Sequence, residues 1–416
     1  MINQATIDFS IQHRNDDPKS LALRAKPAAD VDLAAALKQI AGWQAARRKL
    51  PSWAEREGIV YPHHLAMEQC SSEHTARYKA QVAARILGEG TKGGTMYDLT
   101  GGLGVDFSFL SPLFDRAVYV EQQQELAEVA RHNFGVLGLE NVEVRCGTAA
   151  ETLHSIDHAT MIFIDPARRD ANGGRTFALS DCTPDVLSMK EELLRKTDML
   201  MIKLSPMLDW HEVARQLGCV REMHIISVRN ECKEVMPVVV AASRRGDDRD
   251  VADVAAQGIK VFCINDGQDF SFVPSVCAGG SDVMGKRVNE EGGNGEEGGF
   301  LLVPNSSIMK AGCFDEVAMR YGIRQVSANS HLFVSSHFID DFPGRAFKIS
   351  AISSMNKREL RQTLGSITKA NIAVRNFPMT AEQLRKRLRL SDGGEHYIFA
   401  TTNSGGEHVL FVCKKA

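Results

Sequence analysis

"MYDLTGGLGVDF", Met96 to Phe107, decides how the rest of the chain is read. A short apolar run ends in an acid, Asp98, and a glycine cluster follows it. The next residues, "GVDFSFLSPLF", carry the pattern of a helix start. A strand that ends in an acid and turns through glycines into a helix leaves bare backbone at its C-terminal end. That is where open α/β sheets take their ligands. Outward from this point, "RAVYVE", "VEVRC", "MIFID", "MLMIKL" and "EMHIISV" read as short apolar strands. Between them "QQQELAEVARHNFGVLG", "ETLHSI", "TPDVLSMKEELLRKT" and "DWHEVARQLG" read as helices. The alternation predicts an α/β fold, a doubly wound Rossmann-like parallel sheet covered on both faces. "VMPVVVAA" and "IKVFCIN" are further strands, expected at an antiparallel end.

The flanks differ from this middle. The first ~90 residues read as helix. "DVDLAAALKQIAGWQAARRKL" places Leu33, Leu37, Ile40 and Ala41 at helical spacing, and Pro51 is expected to stop it. In "CSSEHTARYKAQVAARIL", Ser71 or Ser72 is placed to cap a second helix. "NEEGGNGEEGG", Asn289 to Gly299, has the composition of a flexible linker. Beyond it "IMKAGCFDEVAMRYG" reads as helix, "HLFVSS" and "RAFKISAI" as strands, and "TAEQLRKRLRL" as a helix between "ANIAVRNF" and "HYIFATT". The chain therefore ends in a small α+β module.

The chain has 416 residues, 44% hydrophobic and 24% charged, values that fit a globular protein of two or three domains. No apolar run approaches a membrane span of ~18–20 residues, and the N-terminus lacks the pattern of a secretory signal. The nine cysteines stand singly with no C-x-x-C pair, which gives no support to a metal or redox site. Unclustered thiols suit a reducing, cytoplasmic setting. The net charge of −3 argues against a general nucleic-acid coat. Eleven basic residues face five acidic ones from Asn356 to Ala416, a local +6 that leaves −9 elsewhere. Such asymmetry points to a polyanion partner for the C-terminal segment, or to a merely solvated helix face.

Three ligand classes use a glycine loop after the first strand. A P-loop needs a Lys after its last glycine, and none follows Gly104. A dinucleotide loop needs a third glycine at 107, where this chain has Phe107. That leaves the dinucleotide reading as the weaker one, and the third class is the nucleoside-sulfonium loop of methyltransferases, whose D-x-x-x-G-x-G spacing Asp98, Gly102 and Gly104 match. Glu121 closes the second strand, where an acceptor-only carboxylate suits both hydroxyls of a ribose. Asp165 and Pro166 sit at the C-terminal end of the fourth strand, on the ligand side of the sheet.

"DLTGGLGVD", "VYVEQ" and "FIDPARRD" resemble the first, second and fourth motifs of class I S-adenosylmethionine-dependent methyltransferases. "FLLVPNSSIMKAG", "RAFKIS" and the segment from "ANIAVRNF" to "HYIFATT" resemble a bacterial family in which a ferredoxin-like segment and a THUMP-like C-terminal domain follow that fold. "QIAGWQAARRKLPSW" and "EQCSSEHTARYK" are similar to the same family. The resemblance implies a helical region over 1–75, a methyltransferase domain over 76–275, a ferredoxin-like segment with linker over 276–335, and a THUMP-like domain over 336–416. It implies S-adenosylmethionine as cofactor and RNA as partner. The chain departs from the usual pattern in three places: Thr100 stands where a glycine is common, Arg168 where amino-group methyltransferases carry an aromatic, and Thr148 near the adenine position. The fifth strand ends in "IKLSPMLDW" with no cysteine, which speaks against covalent chemistry on carbon there.

The expected roles follow. Cofactor contacts fall to Gln69, Ser71, Ser72, Asp98, Thr100, Gly102, Gly104, Glu121, Gln122, Thr148 and Asp165. Gln69, Ser71 and Ser72 would offer a helix N-terminus to the methionine carboxylate. Asp165, Pro166 and Arg168 are the catalytic candidates, with Asp165 and the Pro166 carbonyl accepting from an acceptor amine. Arg168 and Arg169 would hold a phosphate, Lys203 would line the mouth, and Trp210 would stack on a base or simply pack. Arg385 and Arg389 would meet RNA from the outer arc of a basic helix whose Leu384 and Leu388 face inward. The expected reaction is methyl transfer to a nitrogen or oxygen on RNA, without a metal. A binding protein on a methyltransferase scaffold, or a methyltransferase of protein or small molecules, are the alternatives.

Overall fold

Short polar side chains open the N-terminal helices. Asn3 caps α1 (Gln4–Gln12), Asp17 caps α2 (Pro18–Arg24) and Asp32 caps α3 (Leu33–Lys49), each accepting from a backbone N–H of the first turn. Helix α3 ends at Lys49, and Pro51 then opens α4 (Pro51–Ala54), because a proline ring suits a first helical turn but not an interior. After α5 (His64–Gln69), Ser72 caps α6 (Glu73–Leu87), its hydroxyl accepting from Thr75 N–H.

The computed structural model describes residues 2–88, 93–168, 179–240, 258–274 and 295–416. It divides into two units, Met1–Glu222 with Val235–Gln257, and Met223–Glu234 with Gly258–Ala416. Among the described residues no helix is long and apolar enough to cross a membrane, and no group of three or more His, Cys, Asp or Glu residues is placed to hold a metal ion.

In the first unit, β1 (Thr95–Asp98) passes through the glycine loop into α7 (Val105–Leu110). Then follow β2 (Arg116–Glu121), α8 (Gln124–Leu137), β3 (Val142–Cys146), α9 (Ala149–Ser155) and β4 (Ala159–Ile164). A two-residue strand pair, β5 (Ala167–Arg168) with β6 (Cys182–Thr183), precedes α10 (Val186–Lys196) and β7 (Thr197–Ile202). Strands β3, β2, β1, β4 and β7 lie side by side in that order, all parallel. After α11 (Trp210–Leu217) and β8 (Glu222–Val228), β9 (Glu231–Val240) runs antiparallel to β7, pairing Met199 with Val240 and Met201 with Val238. "VMPVVV" thus takes an antiparallel place beside β7, on the side expected of it. The six residues of β4 are all buried, as a strand covered on both faces requires. Leu103 and Val105 of the loop pack with Trp53, Tyr61, Met67 and Ala76, so helices α3 to α6 share a core with the glycine loop.

The second unit holds a hairpin, β10 (Lys260–Asn265) with β11 (Gln268–Phe272), and a seven-stranded sheet. Its strands are β12 (Phe300–Pro304), β13 (Arg324–Gln325), β14 (Phe333–Ser335), β15 (Gly344–Ser354), β16 (Asn371–Arg375), β17 (His396–Thr402) and β18 (His408–Lys415). They lie in the order β13-β14-β12-β15-β18-β17-β16. The Lys357–Leu364 and Ala381–Leu388 helices cover one face, over Ile398, Ala400, Leu410 and Val412. "IMKAGCFDEVAMRYG" is not one helix as expected. It breaks into Ser306–Ala311 and Phe314–Tyr321 because Gly312 takes the left-handed conformation, φ +72°, and ends the first. Within the expected linker, residues 289–294 lie outside the described residues.

Candidate active site

The glycine loop is built on aromatic rings. Phe107, Tyr119 and Phe134 meet edge to face or tilted beneath it, with ring centres 5.0–5.5 Å apart. The Tyr119 hydroxyl donates to the Gly102 carbonyl. Gly102 and Gly104 have φ of +57° and +83°, where L-residues are strained. A Cβ on Gly104 would lie 2.5 Å from Phe134 Cζ, so packing excludes one. A Cβ on Gly102 would meet nothing closer than the Thr100 carbonyl at 3.9 Å. Its outer side is therefore open backbone, a surface on which a ligand can lie.

Two acids frame that surface. Glu121, buried at the end of β2, accepts from Gly102 N–H through Oε2 at 2.9 Å and from Gln123 N–H through Oε1 at 2.8 Å. Each oxygen keeps a further lone pair for a hydroxyl donor. Asp98 is 2% exposed and accepts from Thr100 N–H at 3.0 Å. Burial pushes its carboxyl well above the ordinary range against that hydrogen bond, and the charges of Asp106, Asp165 and Glu121 push the same way. A cationic group set beside Asp98 would relieve this.

The loop is tied to the end of β4. Thr100 Oγ1 accepts from Asp165 N–H at 2.6 Å. The Asp165 carboxylate then accepts from Lys203 Nζ at 2.5 Å. Lys203 follows the last residue of β7, and its side chain is 10% exposed where that of Asp165 is 36% exposed. The acid thus faces solvent and the lysine supports it from below. Lys203 Nζ also lies 4.0 Å from Asp106 Oδ2. Asp106 accepts from Ser71 Oγ at 2.7 Å and pairs with Lys79 Nζ at 3.2 Å, and Lys79 donates to Ser71 Oγ at 3.2 Å. Burial alone would raise the Asp106 carboxyl, but Lys79 and Lys203 more than offset it and hold it below its ordinary value. Two lysines and two aspartates give a charge-balanced network in which Lys79, Asp106 and Lys203 are buried and Asp165 reaches solvent.

Lys79 and Asp106 escaped the sequence reading. The available signal was a lysine on the buried face of α6, among Thr75, Ala76, Val82 and Ala83, and an acid within the apolar start of α7. Of the expected residues, Ser71, Asp98, Thr100, Gly102, Gly104, Glu121, Asp165 and Lys203 come together. Pro166 is buried beside Asp165, and Arg168 lies in β5. Arg169 lies outside the described residues. Ser72 is engaged as the cap of α6, and Thr148 caps α9 in a mutual pairing with Glu151. Gln69 and Gln122 are exposed at the ends of α5 and β2. Trp210 does not offer a stacking face as expected. It is 3% exposed and its ring stacks on His211 at 3.7 Å, because the amphipathic α11 turns its first residue into the core. Lys203 lies just past the end of β7 with its ammonium on Asp165. Arg385 and Arg389 belong to the second unit, Arg385 in an ion pair with Asp392 at 2.6 Å and Arg389 exposed at the end of its helix.

Comparison with known proteins completes the picture. Residues 300–343 match the ferredoxin-like domain family and residues 344–415 match the THUMP domain-like family. An uncharacterised S-adenosylmethionine-dependent methyltransferase of Mycobacterium tuberculosis H37Rv is 27% identical over 357 residues, 84% of this chain and 87% of that protein. A crystal structure of a candidate methyltransferase from Porphyromonas gingivalis W83 is 30% identical, covers 100% of both chains and superposes with a TM-score of 0.81. On these relatives and matches, the chain belongs to the S-adenosylmethionine-dependent methyltransferases that join a class I domain to ferredoxin-like and THUMP-like segments.

Proposed function

We propose that this methyltransferase acts on RNA, at a nitrogen or oxygen that carries a proton, with Asp165 as the acceptor-side catalytic residue. The observation that carries the reading is the Asp165–Lys203 pair beside the glycine loop, a charge-compensated carboxylate with one side open to solvent. The open backbone at Gly102, the lone pairs of Glu121 and the buried Asp98 fit S-adenosylmethionine, with its ribose diol and ammonium. When bound, it supplies an electrophilic methyl group on a sulfonium, so the protein's task is positioning.

In this reading Glu121 holds the ribose hydroxyls and Asp98 the ammonium. Asp165 accepts a hydrogen bond from the N–H or O–H of the acceptor and turns its lone pair toward the methyl group. Lys203 fixes the carboxylate's rotamer, so the acceptor does not have to order it. As positive charge develops on the acceptor, the carboxylate stabilises it and takes up the leaving proton. The THUMP domain-like match and the +6 excess over Asn356–Ala416 support RNA as the substrate class.

The test is labelled methyl transfer to RNA from a strain that lacks the protein, followed by mass spectrometry of nucleosides. Label on a nitrogen or oxygen of one nucleoside is the expected result. Label confined to protein or to small molecules would overturn the reading.

A further inference from the structure

We propose that the outer face of the Lys357–Leu364 helix is the surface that takes the RNA backbone, rather than the more basic Ala381–Leu388 helix. This rests on the RNA reading above and names where in the second unit that partner binds. Both helices lie on the same face of the seven-stranded sheet, with Leu360 and Leu364 of one and Leu384 and Leu388 of the other turned toward it. Their outward cations differ in what already holds them.

On the Ala381–Leu388 helix, Arg385 is paired with Asp392 at 2.6 Å and Lys386 with Glu382 at 2.9 Å. Arg387 leans on the Met379 sulfur at 4.0 Å. A phosphate arriving at Arg385 or Lys386 must break an existing ion pair, so those contacts gain less, and Arg387 and Arg389 are left as the cations there without an ion pair among the described residues. On the Lys357–Leu364 helix, Lys357, Arg358 and Arg361 are exposed, and none has a carboxylate within ion-pair distance among the described residues. The one acid of that helix, Glu359, turns back to accept from Ser354 N–H at 3.0 Å. At about 100° per residue, Lys357, Arg358, Arg361 and Gln362 share an arc of about 140°. Together they line one open surface pocket.

Lys357 and Arg361 stand about 6 Å apart along the helix axis. A nucleic-acid strand presents a phosphate roughly every 3.4 Å of axis, so the face spans two to three phosphates. The partner that fits is a phosphate backbone laid along this face, read by charge and not by base.

The test measures binding of the full chain to a fluorescently labelled oligouridylate across a potassium chloride series. Three phosphate contacts on a single strand contribute a log-log salt slope of about 2. Lys357→Ala with Arg358→Ala and Arg361→Ala is expected to flatten the slope by about that amount and to weaken binding at least roughly tenfold at low salt. Exchanging the three residues for one another's type, Lys357→Arg, Arg358→Lys and Arg361→Lys, keeps the charge and is expected to retain binding. Arg385→Ala with Arg389→Ala is expected to move the slope by less than about one unit. Lys357, Arg358 and Arg361 are exposed, so the melting temperature and S-adenosylhomocysteine affinity of the triple variants should hold and report an intact fold. Because Arg385 is partly buried and paired with Asp392, Arg389→Ala alone accompanies the double variant as a control that leaves that ion pair in place. A triple alanine variant that binds like the parent would overturn the assignment while leaving the RNA reading in place. An equal loss from Arg385→Ala with Arg389→Ala would overturn the assignment to one helix. A parent chain that does not bind RNA would overturn the RNA reading itself.

Discussion

The hydroxyl oxygen of Thr100 accepts a hydrogen bond from the backbone N–H of Asp165 at 2.6 Å. One residue of the glycine loop therefore fixes the backbone position of Asp165, the acid proposed to meet the acceptor. The glycine common at this position could not do so. What reads as a departure from the loop pattern is a clamp between the two halves of the candidate site.

Replacing Thr100 by Val keeps the shape and removes the acceptor. The Asp165 N–H is then left unmatched, at a cost of about 1–3 kcal/mol. Methyl transfer to RNA should fall roughly ten- to a hundredfold, with a smaller change in S-adenosylhomocysteine affinity, and Thr100→Ser should restore it. A Val variant with parental turnover would show that the clamp is incidental.

Asp98 links stability to pH. Burial raises its folded-state carboxyl pKa above the unfolded value of about 3.9. The folded state then holds the proton more tightly. Its contribution is fully present below the unfolded pKa and is lost as pH rises toward the folded one. Asp98→Asn removes the penalty, so the variant should melt higher than the parent at pH 8, with the gain shrinking toward pH 4. Thermal melts across this range measure it. The same variant should bind S-adenosylmethionine more weakly, because the ammonium loses its partner.

Glu121 uses one oxygen for Gly102 N–H and the other for Gln123 N–H. Glu121→Gln supplies only one acceptor oxygen, so one of those donors, and one ribose hydroxyl, goes unmatched. Calorimetry with S-adenosylhomocysteine should show affinity reduced roughly ten- to a hundredfold, the equivalent of about 1–3 kcal/mol. Parental affinity would remove Glu121 from the cofactor site.

Lys203→Met takes the cation from Asp165. A carboxylate deprived of a close opposite charge titrates at higher pH. The acid limb of the pH–rate profile should shift upward, and Lys203→Arg should shift it less. Asp106 would also lose one of its two lysines, so the Met variant should melt lower. A lower melting temperature with an unmoved pH profile would confine Lys203 to a structural role.

Much of the fold was legible because its signals are local. Strand and helix alternate within a few residues, and the spacing of Asp98, Gly102, Gly104 and Glu121 follows from one strand–turn–helix unit and its neighbour. Lys79 and Asp106 were not legible as partners, since nothing in a linear pattern joins residues 27 apart on two different helices. Trp210 failed for a related reason. Its place after a strand end suggested a mouth, but the packing of α11 decides which way its first residue turns. Strand β18 was missed although "HVLFVCKK" is apolar, because its partner β17 lies across a turn and its burial comes from the β15 and β17 neighbours. Arg385 looked available because Asp392, seven residues on, pairs with it only once the helix has ended.

The pairing of β12 with β15 carries a consequence for heredity. Phe300 to Pro304 run against Lys348 back to Gly344, so the strand that opens the ferredoxin-like match is stitched to the strand that opens the THUMP-like match. Two stretches that recur as separate families are, in this chain, halves of one fabric. A cut between residues 343 and 344 would leave two raw strand edges, each a template for unwanted association. Separating the two segments at that seam is expected to yield fragments that associate and precipitate, so the pair is expected to be inherited together.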